Sequence, residues 1–128
     1  MSFKKQSDDT HLRLTWTSST KQNAAEKCNQ WYFTIDGREC SNPAPINGNV
    51  YLATLSSADI HRFGTIIGVC RGTSAGNILS GSHQIAMNTR NNCNRQYSGA
   101  DGYTGWQSTT TVIVEESSVH RSSNDITQ

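Results

Sequence analysis

Cys28-Asn29-Gln30-Trp31-Tyr32-Phe33-Thr34-Ile35-Asp36-Gly37-Arg38-Glu39-Cys40 is the stretch on which the fold turns. Trp31 to Ile35 is aromatic and β-branched, the composition of a strand packed on at least one face. Asp36-Gly37 then supplies two residues that tolerate positive φ, as a two-residue hairpin turn requires. In such a hairpin Ile35 faces Arg38 and Phe33 faces Cys40. Cys28 is then left five residues, roughly 17 Å, farther along the strand. A disulfide needs Cα atoms within about 7 Å. Cys28 can therefore bond Cys40 only if the segment before Trp31 folds back, and the other two connectivities of the four cysteines stay open.

Strand signals continue on both sides. Leu12, Leu14 and Trp16 alternate with Arg13, Thr15 and Thr17, the period of a strand with one buried face. Asn42-Pro43-Ala44-Pro45 is a loop, because proline lacks the ladder donor and fixes φ. A short strand is expected at Val50 to Leu55. Further apolar or β-branched segments lie at Thr65 to Cys70, Asn77 to Met87 and Thr109 to Glu115, parted by Gly, Ser and Asn. Short strands at this spacing predict an antiparallel β-sandwich. The one helical candidate, Ser19 to Lys27, is short and weakly patterned.

The chain of 128 residues suits one domain. Residues 1–10 read as a frayed or disordered polar N-terminal segment, 11–116 as the packed sandwich and 117–128 as a disordered polar tail. Net charge is +1, without a Lys/Arg run beyond Lys4-Lys5, so no electrostatic stripe for nucleic acid is present. No apolar run is long enough to insert in a bilayer. The four cysteines, Cys28, Cys40, Cys70 and Cys93, contain no Cys-x-x-Cys pair, which favours disulfides over zinc. The start, Met1-Ser2-Phe3-Lys4-Lys5, has no apolar signal region, so a secreted origin implies a mature domain or an excised fragment.

Several motifs carry possible chemistry. Gly72-Thr73-Ser74-Ala75-Gly76 has the spacing of a hydrolase nucleophile elbow, with Asp101 and His120 following in triad order. An elbow needs a strand before it and a helix after it, and Asn77 to Met87 has Gly81 and no helical stripe. Hydrolysis through Ser74 is thus the remote alternative. His11 and His83 have no ligand-type neighbours at metal spacing, and Asp101-Gly102 offers one carboxylate where calcium requires several oxygens. No metal or other cofactor is expected. Trp16 and Trp31 read as core, and Trp106, beside Thr104-Gly105, as the tryptophan nearest a loop. With Asp101 it could stack on and bind a glycan, the lectin-like alternative. No ordinary Asn-x-Ser/Thr sequon occurs.

The Cys28–Cys40 stretch, Ile60-His61-Arg62, the Gly-rich run after Cys70, and Thr104-Gly105-Trp106 leading to Val112-Ile113-Val114-Glu115-Glu116 together resemble the C-terminal globular domain of collagen triple helix repeat-containing proteins. The resemblance runs in order from about Cys28 to Glu116. It implies a jelly-roll head of the complement and tumour-necrosis-factor type, disulfide-bonded and packed as a homotrimer. It also implies an extracellular, non-enzymatic role in a Wnt or matrix-remodelling context, with protein receptors or matrix components as partners. His61, Arg62, Asp101 and Trp106 are then the expected interface or partner contacts. No Gly-X-Y tract occurs in the chain itself.

Overall fold

The computed structural model describes residues 1–22, 28–51, 60–90, 102–104 and 110–118, with backbone alone at 20–22, 28, 50–51, 60–63 and 102–104. All regular structure among them is strand: β1 (Ser2–Lys5), β2 (Thr10–Gln22), β3 (Cys28–Ile35), β4 (Cys40–Asn42), β5 (Asn47–Tyr51), β6 (Ile60–Cys70), β7 (Gly72–Thr73), β8 (Gly76–Asn77), β9 (Gly81–Arg90), β10 (Gly102–Thr104) and β11 (Thr111–Ser118). One sheet has the order β1-β9-β3-β5. The second centres on β2, with β6 along one edge and β11 and then β10 along the other. A small third sheet joins β4, β7 and β8. Every strand pairing among the described residues is antiparallel, and the long strands follow a jelly-roll order.

The period-two pattern builds the core. Leu12, Leu14 and Trp16 of β2 turn inward against Trp31, Phe33 and Ile35 of β3, with Ile85 of β9 beside them. Trp31 removes roughly 200 Å² from water, about 5 kcal/mol of transfer free energy before ordering entropy is subtracted. Ile46 and Ile78 add to the same cluster from outside the strands. Ile46 is seated over Gly68, where a Cβ would come within 2.8 Å of its side chain.

The Asp36-Gly37 turn forms as expected, with φ of +54° and +81° and a bridge between Ile35 and Arg38. The hairpin stops there. Phe33 does not pair with Cys40; its N–H donates to the Ile46 carbonyl at 3.0 Å. Cys40 instead starts β4, which pairs with β7, and its sulfur is bonded to Cys70 with Cα atoms 5.8 Å apart. Cys28 to Ile35 is one continuous strand, so no fold-back brings Cys28 to Cys40. Cys93 lies outside the described residues.

Four expectations are corrected. The N-terminal ten residues are not frayed: Ser2–Lys5 is a strand, Phe3 packs on the core, and Lys5 is only 1% exposed with its amine donating to the Ser7 carbonyl. A long alkyl stem can be buried while its charged end finds an oxygen, which a polarity scan does not register. The helical candidate fails at its start, because β2 runs through Ser19 to Gln22 on ladder bonds to β6 and β10; 23–27 lie outside the described residues. The strand expected at Val50 to Leu55 is β5, which starts three residues earlier, and 52–59 are likewise outside. The last strand reaches Ser118, past the expected boundary at Glu116, and 119–128 are not described.

Candidate functional site

Two surface features follow from this arrangement. The first is the solvent face of the β2 sheet. Because Leu12, Leu14 and Trp16 point inward, Arg13, Thr15 and Thr17 point out, and their cross-strand neighbours point out with them. Thr15 lies between Ile67 of β6 and Ile113 of β11, and Arg13 lies between Val69 and Glu115. Ile67, Ile113 and Val69 are 50%, 47% and 41% exposed. Thr17 and Thr65 share a hydroxyl hydrogen bond of 3.2 Å at one end of this apolar row, and Arg13 stands 4.0 Å from Glu115 at the other. Beyond Ile67 and Val69 the surface continues into a shallow groove of about 200 Å³ floored by Gly68 and walled by Pro43, Ala44 and Pro45. Single exposed apolar side chains need no explanation, but a connected strip of them marks a contact surface.

The second feature is a cleft of about 240 Å³ at the hairpin end, lined by Ile35, Asp36, Arg38, Ala75, Ile78 and His83. Asp36 binds β9 through both oxygens, accepting from the Gln84 N–H at 2.8 Å and from His83 Nδ1 at 2.6 Å. His83 Nε2 meets the Leu79 carbonyl at 2.6 Å. Both ring nitrogens thus face acceptors, so the arrangement is satisfied in full only by the doubly protonated imidazolium. Partial burial works against that charge, but the bonds to Asp36 and Leu79 and the Asp36 charge outweigh it and hold the His83 pKa above its ordinary value. Asp36 is pushed up by burial and more strongly down by His83 and the Gln84 N–H, leaving it below the usual range.

A third cluster ties the N-terminus to the last strand. Glu116 accepts from the N–H groups of Gln6 at 2.8 Å and Ser7 at 3.0 Å, and from the Thr10 hydroxyl. These bonds, the Thr10 hydroxyl foremost, lower its pKa. Asp8, lowered chiefly by the Ser80 N–H that it accepts at 2.7 Å, fastens the same turn to the segment before β9.

The residues singled out from sequence are distributed as follows. Ser74 is exposed in the turn between the two-residue strands β7 and β8, and its hydroxyl accepts a bond from Arg38 Nη1 at 3.0 Å. An arginine cannot serve as a general base, and β8 stands where an elbow requires a helix, so Ser74 does not sit in a nucleophile elbow. His61 and Arg62 sit in β6 opposite Lys21 and Thr20; their side chains lie outside what is described. Asp101 and Trp106 are also outside, as is His120, so the pair on which glycan binding rests is not placed. Trp16 and Trp31 are core, 3% and 1% exposed. Among the described residues no three His, Cys, Asp or Glu side chains gather to hold a metal ion. No helix among the described residues is long and apolar enough to cross a membrane. The apolar strip was missed because Ile67 and Val69 read as core residues in a continuous apolar run; only the β2–β6 register reveals that they face out.

No solved structure matches the chain. A family model described as CTHRC1, C-terminal domain, matches residues 1–114. The chain therefore belongs to the CTHRC1 C-terminal domain family, a collagen-related, extracellular and non-enzymatic type of domain.

Proposed function

We propose that this domain is a non-enzymatic extracellular interaction module that assembles as a homotrimer and presents its remaining surface to protein receptors or matrix components. A Wnt-signalling or matrix-remodelling context follows from the family resemblance. The observation that carries the reading is the strip Ile113–Thr15–Ile67–Val69 with its adjoining proline-walled groove. Buried on association, such a strip supplies the apolar centre of an interface, while Arg13 and Glu115 supply a polar rim.

Light scattering on the non-reduced protein tests this. The expected mass is three times that of one chain, falling to a single chain for I67E/I113K with the circular dichroism spectrum unchanged. A wild type that runs as a monomer at all concentrations refutes the trimer. A trimer that survives both substitutions removes this face as its interface.

A further inference from the structure

The cleft at the hairpin end has an apolar base and pinned walls. Ile35 and Ile78, 2% and 4% exposed, form the base, and Ala75 and Leu79 reach the solvent side. Residues 77–80 are held from three directions. The Ile78 N–H donates to the Arg71 carbonyl at 2.9 Å, the Leu79 carbonyl meets His83 Nε2 at 2.6 Å, and the Ser80 N–H donates to Asp8 at 2.7 Å. Across from them, the Ala75 N–H donates to Thr73 Oγ1 at 3.2 Å, and Arg38 Nη1 ties the hairpin to Ser74 at 3.0 Å. Within this frame the Leu79 side chain is 56% exposed, the most exposed large apolar group among the described residues. A leucine whose backbone is fixed while its side chain stays in water, beside an apolar hollow, is a surface preorganised for contact.

Charge and volume narrow what fits. Asp36 is engaged through both oxygens, by His83 and by the Gln84 N–H. Arg38 is exposed, and among the described residues its guanidinium meets a neutral hydroxyl and no carboxylate. A guanidinium carries five N–H donors in a planar fork, so most remain for an incoming anion, which can be held by two parallel bonds. A volume of about 240 Å³ is below that of pockets enclosing a drug-sized ligand and suits one aliphatic side chain with its backbone.

We propose that this cleft docks a segment of a partner protein in which an aliphatic side chain enters the apolar base and a carboxylate two residues away pairs with Arg38. In an extended segment those two side chains point to the same side, about 7 Å apart. The proposal rests on the reading of the domain as a protein-binding module, but not on the trimer. The cleft shares no residue with the strip Ile113–Thr15–Ile67–Val69 or its proline-walled groove.

Amide chemical shifts of the nitrogen-15-labelled protein, titrated with acetyl-Gly-Leu-Ser-Glu-Gly-amide, test the site. The amides of Arg38, Ala75, Gly76 and Leu79 should shift and saturate at millimolar peptide. Replacing the peptide's Glu by Gln, or Arg38→Gln in the protein, should each weaken binding about threefold, as for an exposed ion pair, and the two together should cost no more than either alone. Replacing its Leu by Ala should weaken binding about tenfold or more. Ala75→Phe, at an exposed turn position, should occlude the cleft and abolish the shifts while the β2-sheet amides stay in place. I67E/I113K should bind the peptide as the wild type does, so docking and trimer formation are read separately. Four results overturn the inference. The Gln peptide binds as tightly as the Glu peptide, or Ala75→Phe leaves the shifts intact. Isocaproate, the free acid of the same side chain, matches the peptide, making a small organic acid the occupant. The shifts vanish in I67E/I113K, placing the contact on the strip. Or no amide of the cleft moves at millimolar peptide, a result that leaves the light-scattering mass to judge the trimer alone.

Discussion

Replacing Cys40 and Cys70 together by alanine, with Cys28 and Cys93 left unchanged, isolates the one disulfide whose partners are seen. The two residues are 30 positions apart, and closing a loop of that size restricts the unfolded chain by about 3.6 kcal/mol at room temperature in the chain-entropy account. That is about a 400-fold change in the folded-to-unfolded ratio. Both sulfurs are buried, so solvent exposure does not dilute the effect. The bond also joins the small β4-β7-β8 sheet to the end of β6, so native packing depends on it as well. Urea unfolding followed by tryptophan fluorescence is the assay, because Trp16 and Trp31 are core reporters. With a slope of about 2 kcal/mol per M, the midpoint should fall by about 1.8 M, and the slope should rise as the unfolded chain expands. A loss below about 1 kcal/mol, with unchanged slope, would refute the view that this ring acts through the unfolded ensemble.

The Asp36–His83 pair makes stability depend on pH from the alkaline side. Its histidine is raised from 6.5, so its contribution is complete below that value and is lost as pH rises through the higher folded value. With Asp36 half exposed the effect is of order 0.5 kcal/mol, and H83Q should flatten the melting temperature between pH 6 and 8. On the acid side Asp8, Asp36 and Glu116 sit below their ordinary values, so their stabilisation is present above about pH 4.5 and disappears as pH falls through the lowered folded values. E116Q, which lacks the stabilisation of the ionised carboxylate at every pH, should shift the acid unfolding midpoint to higher pH, measured by circular dichroism. Gly68→Ala forces a methyl group against Ile46 and should cost about 1–3 kcal/mol, with a much smaller cost in an Ile46→Ala background; simple additivity in chemical denaturation would contradict the close packing. Since Cys40 and Cys70 are taken, the one intrachain partner left for Cys28 is Cys93, and mass spectrometry of a non-reduced digest should find those two peptides linked.

Much of the fold was legible wherever alternation and turn chemistry spoke together. Leu12-Leu14-Trp16 and Trp31 to Ile35 announced the inner faces of two strands, and Asp36-Gly37 announced the turn, because these are local rules. The pairing of β1 with β9 was not legible: Phe3 is the one aromatic anchor in a polar stretch, and the burial of Lys5 arises from its methylene stem and the Ser7 carbonyl. Nor could the sequence show that Cys40 abandons the hairpin, since that depends on the distant Gly72-Thr73 strand offering it a partner. The surface strip was hidden for a related reason. Thr65 to Cys70 reads as a continuous apolar run, and its outward half emerges only after Leu14 is registered against Gly68 and Thr15 against Ile67.

The central position of β2 sets the order in which the molecule can be completed. Leu12 is flanked by Cys70 on one side and Glu116 on the other, and the β1–β2 turn is held by that same glutamate. The partners that satisfy the start of the chain are thus made almost at its end. On a ribosome, β2 would emerge with both edges bare and wait for most of the chain before β6 and then β11 arrived. Such long-range pairing predicts slow folding and a nascent chain open to aggregation until the last strand clears the exit tunnel.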